Sequence, residues 1–407
     1  MSYEEGLYWS SNSYLTFGTT KLTDEQLQRF LSETLPDHHF ISGQLLSGIE
    51  SKTMQGNADL FEIAKRVRAN DELSYLVLVT PGKFLMDELR EHPDAGEIVA
   101  AIAQYLATYG HQGYSFDFVE PTQTEDPSGL LATLKAMVGD KDYDPEHQRV
   151  KATAIREKKF KEISALLSDL EYWQFRHRLW MALRYAYLRE EVAFLFGYSW
   201  SILRPMAFEL GHRLVEAGTF VNAEDTFYLV TEELNQAIEA RASGTALPRL
   251  GELAAQRREL REARKKHRPP TVVPPEARGN EQLARAIMLS EILDNDDSSD
   301  TMRGFAVSSG LVTGRASVVL GPAEFDRMEP GSILVAPLTT PAWTQLFAHA
   351  AGLVTDTGSL LAHGSIVARE YGIPAVLGVG NGTERIAHGQ LITIDGDAGT
   401  VVIREEV

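Results

Sequence analysis

The feature that most restricts this fold is a change of periodicity across one basic, proline-rich stretch, REARKKHRPPTVVPPEARGN, Arg261 to Asn280. Before it, from Leu22 to about Lys266, apolar residues recur at three- and four-residue spacing, the pattern of helices with one buried face. DLFEIAKRVRA, AGEIVAAIAQYLATYG, VKATAIREKKFKEISALLSDLEYWQFRHRLWMALRYAYLREE and EELNQAIEARASG all read this way. Paired prolines lack an amide hydrogen and clash with the preceding turn, so no helix continues through the stretch. A short helical run, EQLARAIMLSEIL, and an acidic run, DNDDSSD, follow. Beyond Gly304 the chain changes to short β-like runs with glycine turns. GLVTGRASVVL, SILVAP, GLVTD, AVLGV, LITIDG and TVVI read as strands, and helices are expected at WTQLFAHA and GSIVAREYG. The fold class is therefore multidomain. A mainly α-helical domain (residues 1–260) is followed by a linker (261–303) and a compact α/β domain (304–407).

Composition removes several classes of function. The 407 residues include no Cys, which excludes disulfides, thiolate metal sites and thiol catalysis. A net charge of -18 argues against a nucleic-acid partner, which needs a basic face. The opening MSYEEGLYWSSN has no basic start leading into an apolar run, so no signal peptide is read there. VAFLFGYSWSIL, the longest apolar stretch, is too short and too polar for a bilayer. The expectation is a cytoplasmic protein without a membrane partner.

One titratable ring stands out in TDTGSLLAHGSIVAREYGIPAVLG, Thr355 to Gly378. The helix after His363 has a clear stop, with Gly372 past the last periodic residue and Pro374 two further on. Its start falls near Leu361 to His363, after Gly358 and Ser359. Unpaired amides and the helix dipole favour an anion at such an N-terminus. A neutral imidazole is also a competent nucleophile near neutral pH. If His363 accepts a phosphoryl group, the dianion arrives where donors already point. Ser359, Ser365 and Arg369 are then candidate donors to it, Arg369 as a two-pronged fork. The plainer alternative is a helix-capping or buried structural histidine.

This stretch resembles the phosphohistidine, or swivelling, domain of the phosphoenolpyruvate synthase and pyruvate phosphate dikinase superfamily. Thr355, Asp356, Gly358, His363, Gly364, Ser365, Ala368, Arg369, Glu370, Gly372, Ile373, Pro374 and Gly378 match its pattern. SSGLVTGRASVV, PGSILVAPLTTPAWTQLF and ITIDGDAGTVVI extend the resemblance across the whole domain. Ser359 stands where a second glycine is common, and Ala362 replaces the usual Ser or Thr before the histidine. The resemblance implies a β/β/α swivelling fold in which His363 carries the phosphoryl group, supported by Thr355, Ser359, Gly364, Ser365 and Arg369.

The helical text adds weaker matches. YGHQGYSFDFVEPTQTEDP, ELGHRLVEAGTFVNAEDTFYLVTEEL and LLSGIESKTM resemble the acceptor-binding region of the same superfamily, with Gln112 in place of a familiar arginine. The order helical domain, then histidine domain, is similar to the C-terminal part of rifampicin phosphotransferases. It also resembles the histidine-domain subunit of phenylphosphate and methylphenylphosphate synthases. About thirty residues follow Gly378, too few for a pyruvate barrel, and neither an ATP-grasp text nor a G-x-x-x-x-G-K-[ST] loop is found. The resemblance therefore implies that ATP and Mg²⁺ bind mainly to a separate ATP-grasp subunit. His363 would be phosphorylated there and pass the group to a small hydroxylated aromatic, a phenol or cresol, giving an aryl phosphate, AMP and phosphate. No metal site is expected in this chain itself. For the acceptor site the candidates are His111, His177, Trp180, Arg184 and Arg204. Three of these lie on a helical stripe of Leu166, Leu170, Trp173, His177, Trp180, Arg184, Tyr187 and Glu191. That stripe reads either as an aromatic-walled pocket or as a surface face. Two other functions stay open: a ligase component activating a carboxylate, and a non-catalytic phosphocarrier or regulatory module.

Overall fold

The computed structural model describes residues 3–38, 40–49, 51–114, 117–141, 143–265, 267, 300–358 and 362–404. These fall into two compact units. The first is drawn from residues 1–114, 122–196 and 292–407, the second from 115–121 and 197–291. Among the described residues no helix is long and apolar enough to cross a membrane.

The helical part of the first unit contains α1 (Tyr3–Thr34), α2 (Lys52–Arg68), α3 (Asp71–Val79), α4 (Gly82–Glu91), α5 (Gly96–Tyr109), α6 (Ser128–Gly139), α7 (Pro145–Ser164) and α8 (Asp169–Phe196). Helix starts follow local capping chemistry: the Ser51 side chain accepts from the Met54 amide, and Asp144 accepts from the amides of Glu146 and His147. The long periodic text from Val150 to Glu191 is broken into α7 and α8 rather than running on. At the break Ser168 gives both its amide and its hydroxyl to the Glu171 carboxylate, at 2.9 and 2.6 Å. The spacing Ser-x-x-Glu is a helix-start signal that the apolar period alone conceals. Helix α8 packs on α1 through a core that includes Leu27, Leu31, Phe175 and Leu179.

The sheet part of the same unit has eight strands in the order β1-β8-β7-β3-β4-β5-β6-β2. They are β1 (Thr301–Arg303), β2 (Phe305–Ser308), β3 (Leu311–Val318), β4 (Ile333–Ala336), β5 (Gly352–Thr355), β6 (Ala375–Leu377), β7 (Leu391–Asp395) and β8 (Thr400–Ile403). Strands β3 to β6 are parallel, and the flanking pairs are antiparallel. Every residue of β4, β5 and β6 is buried, which is why ILVA, GLVT and AVL read as unbroken apolar runs. The six strands expected from sequence are present. The edge strands β1 and β2 were not anticipated, because three or four residues are too few to display an alternation. Helices α12 (Thr344–Phe347), α13 (His363–Tyr371) and α14 (Gly382–Arg385) complete this part. One buried apolar cluster runs through both parts: Leu131, Leu134 and Met137 of α6 join Trp343, Phe347 and Tyr371.

The second unit holds α9 (Trp200–Glu216), α10 (Thr231–Ala242) and α11 (Pro248–Lys265), with a 3₁₀ turn at Ala223–Tyr228. A Cβ on Gly211 would lie 2.1 Å from the Ala223 carbonyl oxygen, so glycine lets α9 and the 3₁₀ turn touch. Regular structure enters the 261–303 linker from both sides, to Lys265 and from Thr301. The helical run expected at 281–293 lies outside the described residues.

The two faces of α8 set a contrast in stability. Phe175 is fully buried and stacks 5.8 Å from Phe160 and 6.5 Å from Phe30, whereas Trp173 is 67% exposed. Phe175→Ala is expected to cost about 3–5 kcal/mol, and Trp173→Ala to stay within about 0.5 kcal/mol. The midpoint of denaturant unfolding reads both, at unchanged slope.

Candidate active site

His363 is the first residue of α13, and Gly372 ends that helix in the left-handed region at φ 64°. Ala362 at the N-cap makes no side-chain bond to the first turn. The imidazole is buried. Its Nε2 lies 2.8 Å from the Thr344 hydroxyl on α12, with either atom able to donate. Its Nδ1 has no hydrogen-bond partner among the described residues, and the Glu190 carboxylate of α8 stands 3.9 Å away. Burial, then the nearby Arg189 charge, push His363 down to about 3, so the buried ring is neutral across the physiological range.

Arg189 and Glu190 form the wall that faces this ring from the helical part. Both are buried, and an Arg189 Nη1 lies 3.2 Å from Glu190 Oε1. The Thr53 hydroxyl of α2 donates to the other carboxylate oxygen at 3.4 Å. Burial raises Glu190, with Arg189 and Thr53 pulling the other way. A carboxylate held up in this way is suited to taking a proton near neutral pH. A guanidinium beside a histidine is suited to a transferring phosphoryl group. On the buried face of α8, three and four residues after Ala186, this pair escapes a reading that follows the aromatic stripe, because the stripe lies on the opposite face.

The loop before α12 is tied to the helical part by the Trp343 indole donating to the Tyr114 carbonyl at 3.1 Å. The Thr340 hydroxyl adds a bond to the Gly113 carbonyl at 3.2 Å. Gly364 is required by close approach: a Cβ there would lie 2.7 Å from the Thr339 hydroxyl. Thr355 is buried and donates to the Thr357 carbonyl at 2.9 Å. Ser365 is buried within the first turn of α13, its amide on the Ala362 carbonyl at 3.0 Å. Ser359 lies outside the described residues. Arg369 is buried, but it is six residues beyond His363, so the helical repeat carries it to another face and about 9 Å along the axis. Its Nε donates to the Val307 carbonyl at 2.6 Å. The guanidinium whose charge bears on His363 is that of Arg189, not the expected Arg369.

The acceptor candidates of the first unit do not converge. His177, Trp180 and Arg184 lie on the exposed face of α8, while its buried face runs through Phe175, Leu179, Ala182, Ala186 and Glu190. The stripe is therefore a surface face and not a pocket wall. His111 is buried, with Nε2 2.8 Å from the Phe194 carbonyl and its ring edge-on to Phe194, and burial lowers its pKa. It fastens the end of α5 to the end of α8. Arg204 is buried in the second unit, donates to the Phe118 carbonyl, and lies over the rings of Phe118, Phe208 and Phe227. It anchors residues 117–121, which Arg261 also holds through Asp117 and Glu120 at 2.6 and 2.7 Å.

Glu370, next to Arg369, reaches the helical part instead: its carboxylate accepts from the Ile49 amide at 3.3 Å. Burial raises it to about 8 from 4.5, against the pull of the Ile49 and Gly48 amides. A raised carboxyl stabilises the folded state below its ordinary pKa, and that stability is lost as pH rises from about 4.5 to 8. A lowered histidine works oppositely: the folded state is favoured above 6.5 and weakens as pH falls toward 3. Thermal melts at pH 5 and 8.5 check both. Glu370→Gln is expected to raise the melting temperature at pH 8.5 and leave it little changed at pH 5. His363→Gln should lessen the acid decline only.

Residues 328–399 match the family described as PEP-utilising enzyme, mobile domain, and residues 13–190 match the family described as rifampicin phosphotransferase fourth domain. A rifampicin phosphotransferase of Streptomyces sviceus is 30% identical over 385 residues, 92% of this chain and 42% of that protein. An uncharacterised phosphotransferase of Bacillus subtilis, YvkC, is 29% identical over 365 residues, covering 88% of this chain and 43% of its own length. A chondramide synthase of Chondromyces crocatus is 31% identical over 379 residues, 88% of this chain and 10% of that protein. The chain thus spans less than half the length of these curated relatives. It carries a phosphoenolpyruvate-utilising enzyme mobile domain joined to a rifampicin phosphotransferase fourth domain.

Proposed function

We propose that this chain is the carrier and acceptor part of a phosphotransferase. His363 takes a phosphoryl group from ATP and Mg²⁺ held on an ATP-grasp domain or subunit outside these residues, and passes it to a hydroxyl. The observation that carries the reading is the juxtaposition at α13: a neutral buried imidazole, a threonine hydroxyl on Nε2, and the Arg189–Glu190 pair facing Nδ1. Among the described residues no three His, Asp or Glu side chains gather as a divalent cation needs. In this proposal ATP and Mg²⁺ are ligands of the other part.

In the proposed cycle, the bond from the β-phosphorus of ATP to the AMP oxygen breaks as a P–N bond forms on His363, and water takes the γ-phosphoryl group as its P–O bond to the β-phosphoryl oxygen breaks, releasing phosphate. Back against α8, the P–N bond breaks as the acceptor oxygen bonds phosphorus. Glu190 takes the hydroxyl proton, and Arg189 neutralises the charge on the equatorial oxygens. A phenol or cresol is the acceptor we favour, with AMP, phosphate and an aryl phosphate as products. The cavity beside Glu190 and Glu370 has a volume of only about 20 Å³, room for a single water. An aryl acceptor therefore enters when the two walls part, between departure and return of the phosphorylated domain.

ATP labelled at the β-phosphate tests this. Acid-labile label should appear on His363 in the presence of the ATP-grasp component, vanish in His363→Ala, and leave onto added phenol. Label that leaves to a carboxylate instead would favour the ligase reading, and label that leaves to no acceptor the phosphocarrier reading. Glu190→Gln should leave labelling of His363 unchanged and slow transfer to the acceptor by about 100-fold or more.

A further inference from the structure

Within the first unit a second cavity opens on the seam between helical part and sheet part, away from the imidazole. It measures about 170 Å³, larger than the roughly 150 Å³ that holds a benzene ring. One wall is the 3₁₀ turn at Ser42–Leu45 together with Lys151 and Ile155 of α7. The other is Ser308 at the end of β2 and Ser309 after it, with Arg369 and Tyr371 of α13.

The chemistry of this lining is selective. Arg369 and Lys151 are its charged members, and no carboxylate lines it. Arg369 is fixed in the wall by its bond to Val307, and Gly43 fits only because it has no side chain: a Cβ there would lie 2.7 Å from the Arg369 Nε. The charges of Asp24 and Glu370 bear on Arg369. Asp24 is already bound to the Ser42 hydroxyl at 2.6 Å, and Glu370 is raised to about 8, so Lys151 leaves the cleft positive near neutral pH. Ile41, Ala152 and Ile155 supply an apolar floor. Across the seam, the Gln44 side chain donates to the Ser309 hydroxyl at 3.5 Å.

The geometry points to a binding site for a small organic anion, a ring or short chain bearing one carboxylate or phosphate, whose occupancy holds the sheet part against the helical part. A ligand that touches both walls must favour the state in which the walls meet, by as much as it binds that state better.

Calorimetric titration of the full chain with phenyl phosphate, benzoate and inorganic phosphate tests the site. Phenyl phosphate and benzoate are expected to bind saturably, and inorganic phosphate, lacking the apolar body, at least tenfold more weakly. Lys151→Glu, a surface change that leaves the fold intact, should weaken both aryl anions tenfold or more, and Ser309→Trp should abolish their binding. His363→Ala should retain it, which separates this site from phosphoryl transfer. Binding that survives both Lys151→Glu and Ser309→Trp, no saturable binding, or inorganic phosphate matching phenyl phosphate would overturn the assignment. Hydrogen exchange reads the coupling: bound phenyl phosphate should protect 41–47 and 305–309 together, and protection of one wall alone would sink the claim that it holds the seam.

Discussion

A neutral imidazole, buried where two parts of one unit meet, is the constraint on which the arrangement turns. Removing a histidine from water disfavours its charged form, and the Arg189 charge adds to that penalty. The ring therefore arrives at α8 as a free base, with one nitrogen on a threonine hydroxyl and the other facing a carboxylate. An exposed histidine at the same helix end would titrate through neutrality and lose half its nucleophilic population there. Burial keeps the population whole, at the cost of an Nδ1 with no hydrogen bond among the described residues. A buried orphan of this kind is expensive. Its cost is tolerable where a second state of the molecule supplies the missing partner.

The seam that creates this environment is apolar as well as polar. Trp343, Phe347 and Tyr371 share one buried cluster with Leu131, Leu134 and Met137, and Trp343 and Thr340 give hydrogen bonds to the carbonyls of Tyr114 and Gly113. In the proposed cycle the domain carrying the phosphoryl group has to leave this surface, which requires a contact weaker than a domain core. Charge supplies the weakness. Arg189, Glu190, Arg369 and Glu370 are all buried, and each is shifted by burial toward its neutral form. Paired charges in a dry place offset one another only when the geometry is good, and their net contribution to holding the parts together is small. The apolar cluster gives adhesion and the buried charges limit it.

Much of this was legible in the sequence, and the reasons for the rest are particular. The central strands were readable because both faces are covered, so each is a run of apolar residues. His363 was readable because Gly358, Gly372 and Pro374 punctuate the chain on either side of it. The partners of His363 were not, because Thr344 and Glu190 come from segments 19 and 173 residues earlier, and no local pattern ties them to the ring. On α8 the helical period was right and the face was wrong. Trp173, His177, Trp180 and Arg184 are conspicuous because they are unusual, whereas Arg189 and Glu190 look like any charged pair at a helix end. Only packing against α1 decides which side is inside, and a period cannot say. Arg369 failed for a simpler geometric reason, since six residues of helix separate it from the histidine by most of two turns.

The division of labour along α8 follows from the same facts. Its buried face begins with Phe175 and Leu179 against α1 and ends with Arg189 and Glu190 against His363. One helix therefore links the position of an apolar contact to the Glu190 carboxylate about four turns away. A helix fixed by aromatic stacking at one end has little freedom to rotate at the other, so Glu190 meets the ring at a set depth. That fixity favours phosphoryl transfer, in which placement and charge neutralisation count for more than covalent chemistry by the protein. The exposed face of α8 carries none of this constraint, which is why a row of aromatics can stand there without bearing on the site.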